Sequence, residues 1–198
     1  MPFSSEELAR YQRHLSLAGF GPDAQAALQR ARVLVIGAGG LGCPALLYLA
    51  AAGVGHLTII DPDTVDASNL QRQILFTTAD VGQPKATVAA ARLRALNPLI
   101  EITPHVARFT RDNALALVAA HDVVLDGSDN FATRYLVNDA CVLGNKPLFT
   151  ARSKASKARP VYSTIVTARP TAAFSPNRPS PGPSPTAPKP ASSACCPA

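Results

Sequence analysis

With 198 residues the chain has room for one domain and a tail, and it can bury a full core. Its net charge of +6 is unevenly held: residues 1–150 carry 12 Lys and Arg against all 13 Asp and Glu, and residues 151–198 carry 7 Lys and Arg and no acid. No apolar run is long enough for a membrane span, the acidic N-terminus lacks a secretory pattern, and none of the four cysteines forms C-x-x-C, so the expectations are a cytoplasmic location, no membrane contact and no zinc site.

Ser4-Ser5-Glu6-Glu7 fits a capping box, with Ser4 as N-cap and Glu7 closing it, and predicts a short helix through Arg10, Arg13 and His14. On residue type alone those arginines read as a solvated face. Gly19, Gly21 and Pro22 break the helix, and a second is expected over 24–31. Residues 32–36 form a short β-branched run, read as a buried strand. Gly37, Gly39 and Gly42 then spell G-x-G-x-x-G before an apolar, Ala-rich helix over 41–52. In such a turn the first glycine allows the bend, the second lets a phosphate approach the backbone, and the third lets helix and strand pack closely. The helix N-terminus adds free N–H groups and the positive end of a dipole.

A second strand, 56–60, ends at Asp61, 19 residues after Gly42, a spacing that suits a carboxylate bonding a ribose hydroxyl. Residues 61–84 form a long loop, a length that usually marks function or disorder. It carries Asp63, Ser68, Asn69, Leu70, Gln71 and Arg72, and Arg offers a planar fork to phosphate oxygens. Lys85 opens a helix over 85–96, where the dipole disfavours a cation unless an anion lies nearby. A strand over 100–106, a helix over 113–120 and a buried strand over 123–126 come next. Asp129 and Asn130 stand just past that strand, before a helix over 131–143 and a strand from 147 to 150. Asp129 reads as a ligand for Mg²⁺, which prefers carboxylate and phosphate oxygens, as the cap of the next helix, or as both. Strands alternating with helices predict an α/β, Rossmann-like parallel sheet with N-terminal helices, with ligands at the C-terminal ends of its strands. The glycine motif alone leaves open whether a nucleotide is cofactor or substrate. Cys43 and Cys141, in predicted helices, read as packing residues.

Five motifs in this order and spacing resemble a known family: Gly-x-Gly-Gly-Leu-Gly from Gly37, Asp-x-Asp-x-Val from Asp61, Ser-Asn-Leu-Gln-Arg-Gln from Ser68, Val-Gly-Gln-Pro-Lys from Val81, and Asp-x-x-Asp-Asn from Asp126. Arg10-Tyr-Gln-Arg13-His looks like the same family's N-terminal helix. The family is the ThiF/MoeB/HesA group of adenylyltransferases, relatives of the ubiquitin-activating enzymes. The molybdopterin-synthase branch is nearest and the thiamine-pathway branch is the near alternative. The resemblance covers about residues 6–149. It implies that ATP is a substrate, with Gly37, Gly39, Gly40 and Gly42 cradling phosphate and Asp61 holding the ribose beside Asp63. Asn69, Arg72 and Lys85 would grip the triphosphate, within a binding loop that includes Ser68, Leu70 and Gln71. Asp129 would position Mg²⁺ with Asn130 beside it. Arg13 would reach across a homodimer interface to the other subunit's ATP, replacing the solvated-face reading. The implied reaction is attack by the C-terminal glycine carboxylate of a ubiquitin-like sulfur carrier on the α-phosphate, with Arg13, Arg72, Lys85 and Asp129 as the catalytic set. Nucleic acid is not an expected partner.

After Phe149 the resemblance stops. The family would continue through a strand bearing Glu-Gly-Gln, a Cys-bearing turn and a carrier-binding half. Here residues 151–198 hold ten of the 18 prolines. A disordered tail after an incomplete domain 1–150 is therefore expected, since so little apolar surface does not offset ordering entropy. Codons can be chosen for residues 157–174 that, read one base back, give Glu-Gly-Gln-Ala-Ser-Val-Phe; residues 186–198 can likewise give Asn-Cys-Ala-Glu-Ala-Gly. Both segments resemble the missing half, so the tail reads as the product of a shifted frame; a basic arm for nucleic acid is disfavoured, because the shift accounts for the missing acids. Two further readings stand beside adenylyl transfer. One is a nucleotide-binding remnant without carrier activation. The other is an NAD-dependent oxidoreductase, disfavoured by the 68–72 loop and Lys85.

Overall fold

The β-branched runs of the sequence form the middle of one sheet. In this computed structural model, residues 3–150 and the backbone of 164–165 are described. β1 (Arg32–Ile36) is central, parallel to β2 (His56–Ile60) on one side and to β4 (Val123–Asp126) on the other. β3 (Glu101–His105) flanks β2 and β5 (Leu148–Thr150) flanks β4, both parallel. The first five strands thus run in the order 3-2-1-4-5, the parallel α/β arrangement expected. Thr164–Ile165 add a two-residue antiparallel strand against Phe149 and Thr150, an element the sequence did not signal. The remainder of 151–198, with the disordered-tail and shifted-frame readings and Cys195-Cys196, lies outside the described residues.

Among the described residues, four helices cover the two faces. α3 (Gly42–Ala52) and α4 (Lys85–Leu96) bury Leu46, Ala50, Ala89 and Leu93 against Val33, Val35, Leu57 and Ile59. α5 (Arg111–Ala119) and α6 (Phe131–Leu143) bury Val118, Val137 and Ala140 against Leu34, Ile36, Ile60 and Val124. Alternate residues of β1 therefore point to opposite faces, and both faces are apolar because both are covered.

α1 (Ser5–Leu15) starts as expected: the Glu7 N–H donates to Ser4 Oγ at 3.2 Å, and the Ser4 N–H donates to Glu7 Oε2 at 2.7 Å. α2 (Gly21–Arg30) begins earlier than the sequence suggested. Pro22 falls in its first turn, where the missing N–H has no helical partner to lose, so it opens this helix and does not merely break the one before. Tyr11 of α1 is buried, and its hydroxyl accepts from Asn97 Nδ2 at 2.9 Å; the same nitrogen donates to the Ala50 carbonyl at 2.7 Å. The ring occupies the space that a Cβ on Gly53 would need, 2.5 Å from Tyr11 Cζ. α1 therefore clamps the C-terminal ends of α3 and α4. Both helices start at the opposite end of the sheet, where the glycine turn and Lys85 lie.

Candidate functional site

The ends of β1, β2 and β4 are level, with Ile36 opposite both Ile60 and Asp126. The segments leaving these three strands therefore converge on one cleft of about 740 Å³. Gly37 has φ +87°, a left-handed conformation that favours glycine, and its N–H donates to the Ile60 carbonyl at 2.9 Å. A Cβ on Gly42 would lie 1.9 Å from the Gly37 carbonyl oxygen, so the start of α3 sits directly on the turn. No side chain caps α3; in its first turn the Cys43 N–H donates to the Gly39 carbonyl at 2.9 Å and Pro44 carries no N–H. A Cβ on Gly39 would meet nothing within 4 Å, while one on Gly40 would press on Arg72 Cγ and Cδ at 3.1 Å. Gly40 and Arg72 thus close on each other, joining the turn to the 61–84 loop.

Asp61 is 4 % exposed. Its Oδ2 accepts the Ala38 N–H at 2.7 Å and its Oδ1 the Asp63 N–H at 2.8 Å. The carboxylate thus pins the glycine turn to its own loop, a structural task beyond the expected ribose contact. Burial pushes its pKa above the ordinary value, and the two backbone N–H donors act in the opposite sense. Lys85, the first residue of α4, is buried, and its Nζ lies 3.4 Å from Asp63 Oδ2. Arg72 Nη2 donates to Asn69 Oδ1 at 2.7 Å. Gly37, Gly39, Gly40, Asp61, Asp63, Asn69, Arg72, Lys85, Asp129 and Asn130 all line the cleft.

Other expected residues sit elsewhere. Ser68 turns back on Asp66, whose Oδ1 accepts its N–H at 2.7 Å and its hydroxyl at 2.6 Å, and this holds a short 3₁₀ turn, Ala67–Asn69. Leu70 packs against the core, and Gln71 Oε1 accepts from Arg72 at 3.4 Å. None of the three lines the cleft. The polar run carried the loop's internal hydrogen bonds as well as its cleft face, and residue type did not separate the two. Arg13 is exposed on α1, at the far end of α3 from its own cleft. The cap of α6 is Asn130, whose Oδ1 accepts the Ala132 N–H at 2.8 Å. Asp129 is therefore not the cap; it stays exposed at the cleft. Cys43 and Cys141 are buried, which lifts their thiols to about 11 and about 12, so both are inert packing residues.

The cleft also recruits Gln73, Arg108, Phe109, Thr110, Ser128 and Thr133. Gln73 lay inside a recognised motif, but nothing marked 108–110. Their place depends on strand order, which brings the β3–α5 connection beside Asp61.

The ThiF family description matches residues 11–192, farther along the chain than the motifs alone carried the resemblance. A sulfur carrier protein adenylyltransferase of Thermus thermophilus is 55% identical over 148 residues, which span 75% of this chain and 55% of that protein. The adenylyltransferase and sulfurtransferase MOCS3 of Anopheles gambiae is 53% identical over 145 residues, 73% of this chain and 33% of that protein. The chain thus spans about half, or less, of the length of these relatives. Among solved structures, the E. coli tRNA N6-threonylcarbamoyladenosine dehydratase in complex with ATP superposes with a TM-score of 0.72 at 30% identity, covering 76% of this chain and 62% of that one.

Proposed function

The chain belongs to the ThiF family, and from that premise we propose that its cleft binds ATP with Mg²⁺ and transfers the adenylyl group to the C-terminal glycine of a ubiquitin-like sulfur carrier. The observation that carries this reading is the convergence of Arg72, Lys85 and Asp129 on the glycine turn. A dinucleotide site needs one acid for a ribose and few cations. Here two cations and a free carboxylate surround the phosphate position, as a reacting triphosphate requires. The relatives named for adenylyl transfer and the ATP complex of a structural neighbour support the same reading.

In the proposed reaction a carboxylate oxygen of the carrier attacks the α-phosphorus. The bond from that phosphorus to the bridging oxygen breaks, and pyrophosphate leaves with the electron pair. The nucleophile is already an anion, so no general base is needed; positioning and charge neutralisation carry the rate. The turn backbone at Gly39, Gly40 and Leu41, which lines the cleft, cradles phosphate, and Arg72 and Lys85 hold the β and γ groups. Asp129 fits a hard cation: it lines the cleft, is exposed, and has no hydrogen bond or ion pair among the described residues. No cluster of three metal-binding side chains occurs among the described residues, so phosphate oxygens and water would complete the shell, as is usual for Mg²⁺. When bound, the ion supplies charge neutralisation on the phosphates. Arg13 belongs to this set only through a second copy of the chain, because α1 is docked away from its own cleft; a homodimer is part of the proposal. No helix among the described residues is long and apolar enough to cross a membrane, which accords with the cytoplasmic location proposed.

A second reading is nucleotide binding without carrier activation. Competitive titration tests the nucleotide assignment. ATP with Mg²⁺ is expected to displace a fluorescent ATP analogue at concentrations where NAD does not, and preferential binding of NAD overturns the assignment. Pyrophosphate release on addition of a carrier separates the two readings.

A further inference from the structure

We propose that Arg108 clamps the base of the nucleotide, its guanidinium plane lying on the purine face and giving the cleft its preference for a purine. The inference rests on the ATP reading above and assigns a part of the cleft that it leaves unused.

Sheet order gives the direction. The Asp61 N–H donates to the His105 carbonyl at 3.1 Å, so the end of β3 adjoins the residue proposed to hold the ribose. β1, with the glycine turn, lies on the other side of β2. A nucleotide with its phosphates on that turn and its ribose at Asp61 points its base toward the β3 side, where Arg108 and Phe109 line the cleft. Phe109 and Ile60 are buried and apolar, which suits a base and not a phosphate. The cations over the phosphate position are already engaged, Arg72 with Asn69 and Lys85 with Asp63. Arg134, outside the cleft lining, donates through Nε to the carbonyl of Ser128 at 2.9 Å. Arg108, by contrast, is exposed, and its guanidinium has no hydrogen bond or ion pair among the described residues. Its root is nevertheless fixed. Its carbonyl accepts from Asn113 Nδ2 at 2.9 Å, Phe109 is buried beside it, and the Thr110 N–H donates to Asn113 Oδ1 at 2.9 Å in the box that starts α5. A planar, weakly hydrated cation on an anchored backbone, lining the cleft beside the buried Phe109 and Ile60, is suited to stack on an aromatic face.

The test is equilibrium binding of ATP, CTP and inorganic tripolyphosphate to the full chain, in wild type, Arg108→Ala and Arg108→Lys. Arg108→Ala is expected to weaken ATP about threefold to tenfold, to narrow the preference for ATP over CTP, and to leave tripolyphosphate unchanged. Retained tripolyphosphate binding also shows that the variant is folded. Arg108→Lys, with charge but no plane, restores only part of the loss. Equal losses of ATP and tripolyphosphate mean a phosphate contact and overturn the proposal, as does an ATP affinity unchanged in Arg108→Ala. If wild type binds tripolyphosphate but not ATP, the ATP reading itself fails; if wild type binds ATP and the variants match it, only the role of Arg108 fails.

Discussion

Replacing Asp61 by Asn tests whether the carboxylate is a structural pin as well as a ribose contact. Both oxygens accept a backbone N–H, at 2.7 and 2.8 Å, in a site 4 % exposed. An amide offers one acceptor, so its NH₂ group must face either the Ala38 or the Asp63 N–H. One charge-assisted bond is lost, worth about 1.5–3 kcal/mol, and one buried donor is left unmet at about 1–3 kcal/mol. Removing a charge that burial already penalises returns part of this, so the net loss is about 2–4 kcal/mol, a large share of a domain's typical stability. Urea unfolding at neutral pH reads it directly. The pH dependence supplies a second signature. The folded-state pKa of Asp61 is raised, so the native chain binds its proton more readily than the unfolded chain does. Its contribution to stability therefore falls as pH rises from the ordinary carboxylate value of 3.8 through the raised one, and this component vanishes in Asp61→Asn. Calorimetry with ATP and 2′-deoxy-ATP reads the ribose: wild type is expected to discriminate between them more strongly than the variant. An Asp61→Asn protein within about 0.5 kcal/mol of wild type, with the same discrimination, refutes the reasoning.

Gly42→Ala places a methyl 1.9 Å from the Gly37 carbonyl, and a loss of about 1–3 kcal/mol in urea unfolding is expected, together with weaker ATP binding. Asp129→Asn is expected to raise the Mg²⁺ concentration for half-maximal ATP binding about tenfold and to leave thermal unfolding unchanged, because the carboxylate is exposed and makes no hydrogen bond or ion pair to the described residues. His121 is buried, its Nδ1 2.6 Å from the Leu117 carbonyl and its Nε2 2.7 Å from Thr58 Oγ1, and burial lowers its pKa from 6.5. A depressed folded value means that stability is fully present above 6.5 and is lost as pH falls below it; urea midpoints between pH 7 and 5 should show the loss, and His121→Gln should flatten it. Sequencing the gene across codons 149–157 tests the shifted-frame proposal for the tail: the neighbouring frame should encode Glu-Gly-Gln, and codons that cannot do so remove it.

Local chemistry made much of the site legible. A β-branched run, a glycine turn and an acid after the next strand specify β1, the start of α3 and the end of β2, and Asp61 lies where that pattern places it. The capping box at Ser4 was equally plain, since both of its bonds lie within four residues. Ser68 was read toward the cleft because a hydroxyl in a polar loop has no sequence mark that separates an inward bond from an outward one; its partner proved to be Asp66. Asp129 alone reads as the cap of α6 in the sequence, but the cap is its neighbour Asn130, whose backbone is extended and whose Oδ1 accepts the Ala132 N–H. Arg108 was illegible because its place at the cleft comes from strand order across β3 and β2, a nonlocal property.

The proposed function makes the triphosphate of ATP a reacting group. Exchange of labelled pyrophosphate into ATP measures that most directly, with the full chain, Mg²⁺ and a ubiquitin-like carrier ending in glycine. Carrier-dependent exchange that is abolished by Lys85→Met and by removal of the carrier's terminal glycine is the predicted result. ATP binding without any exchange, with carriers of both the molybdopterin and thiamine pathways, contradicts the claim.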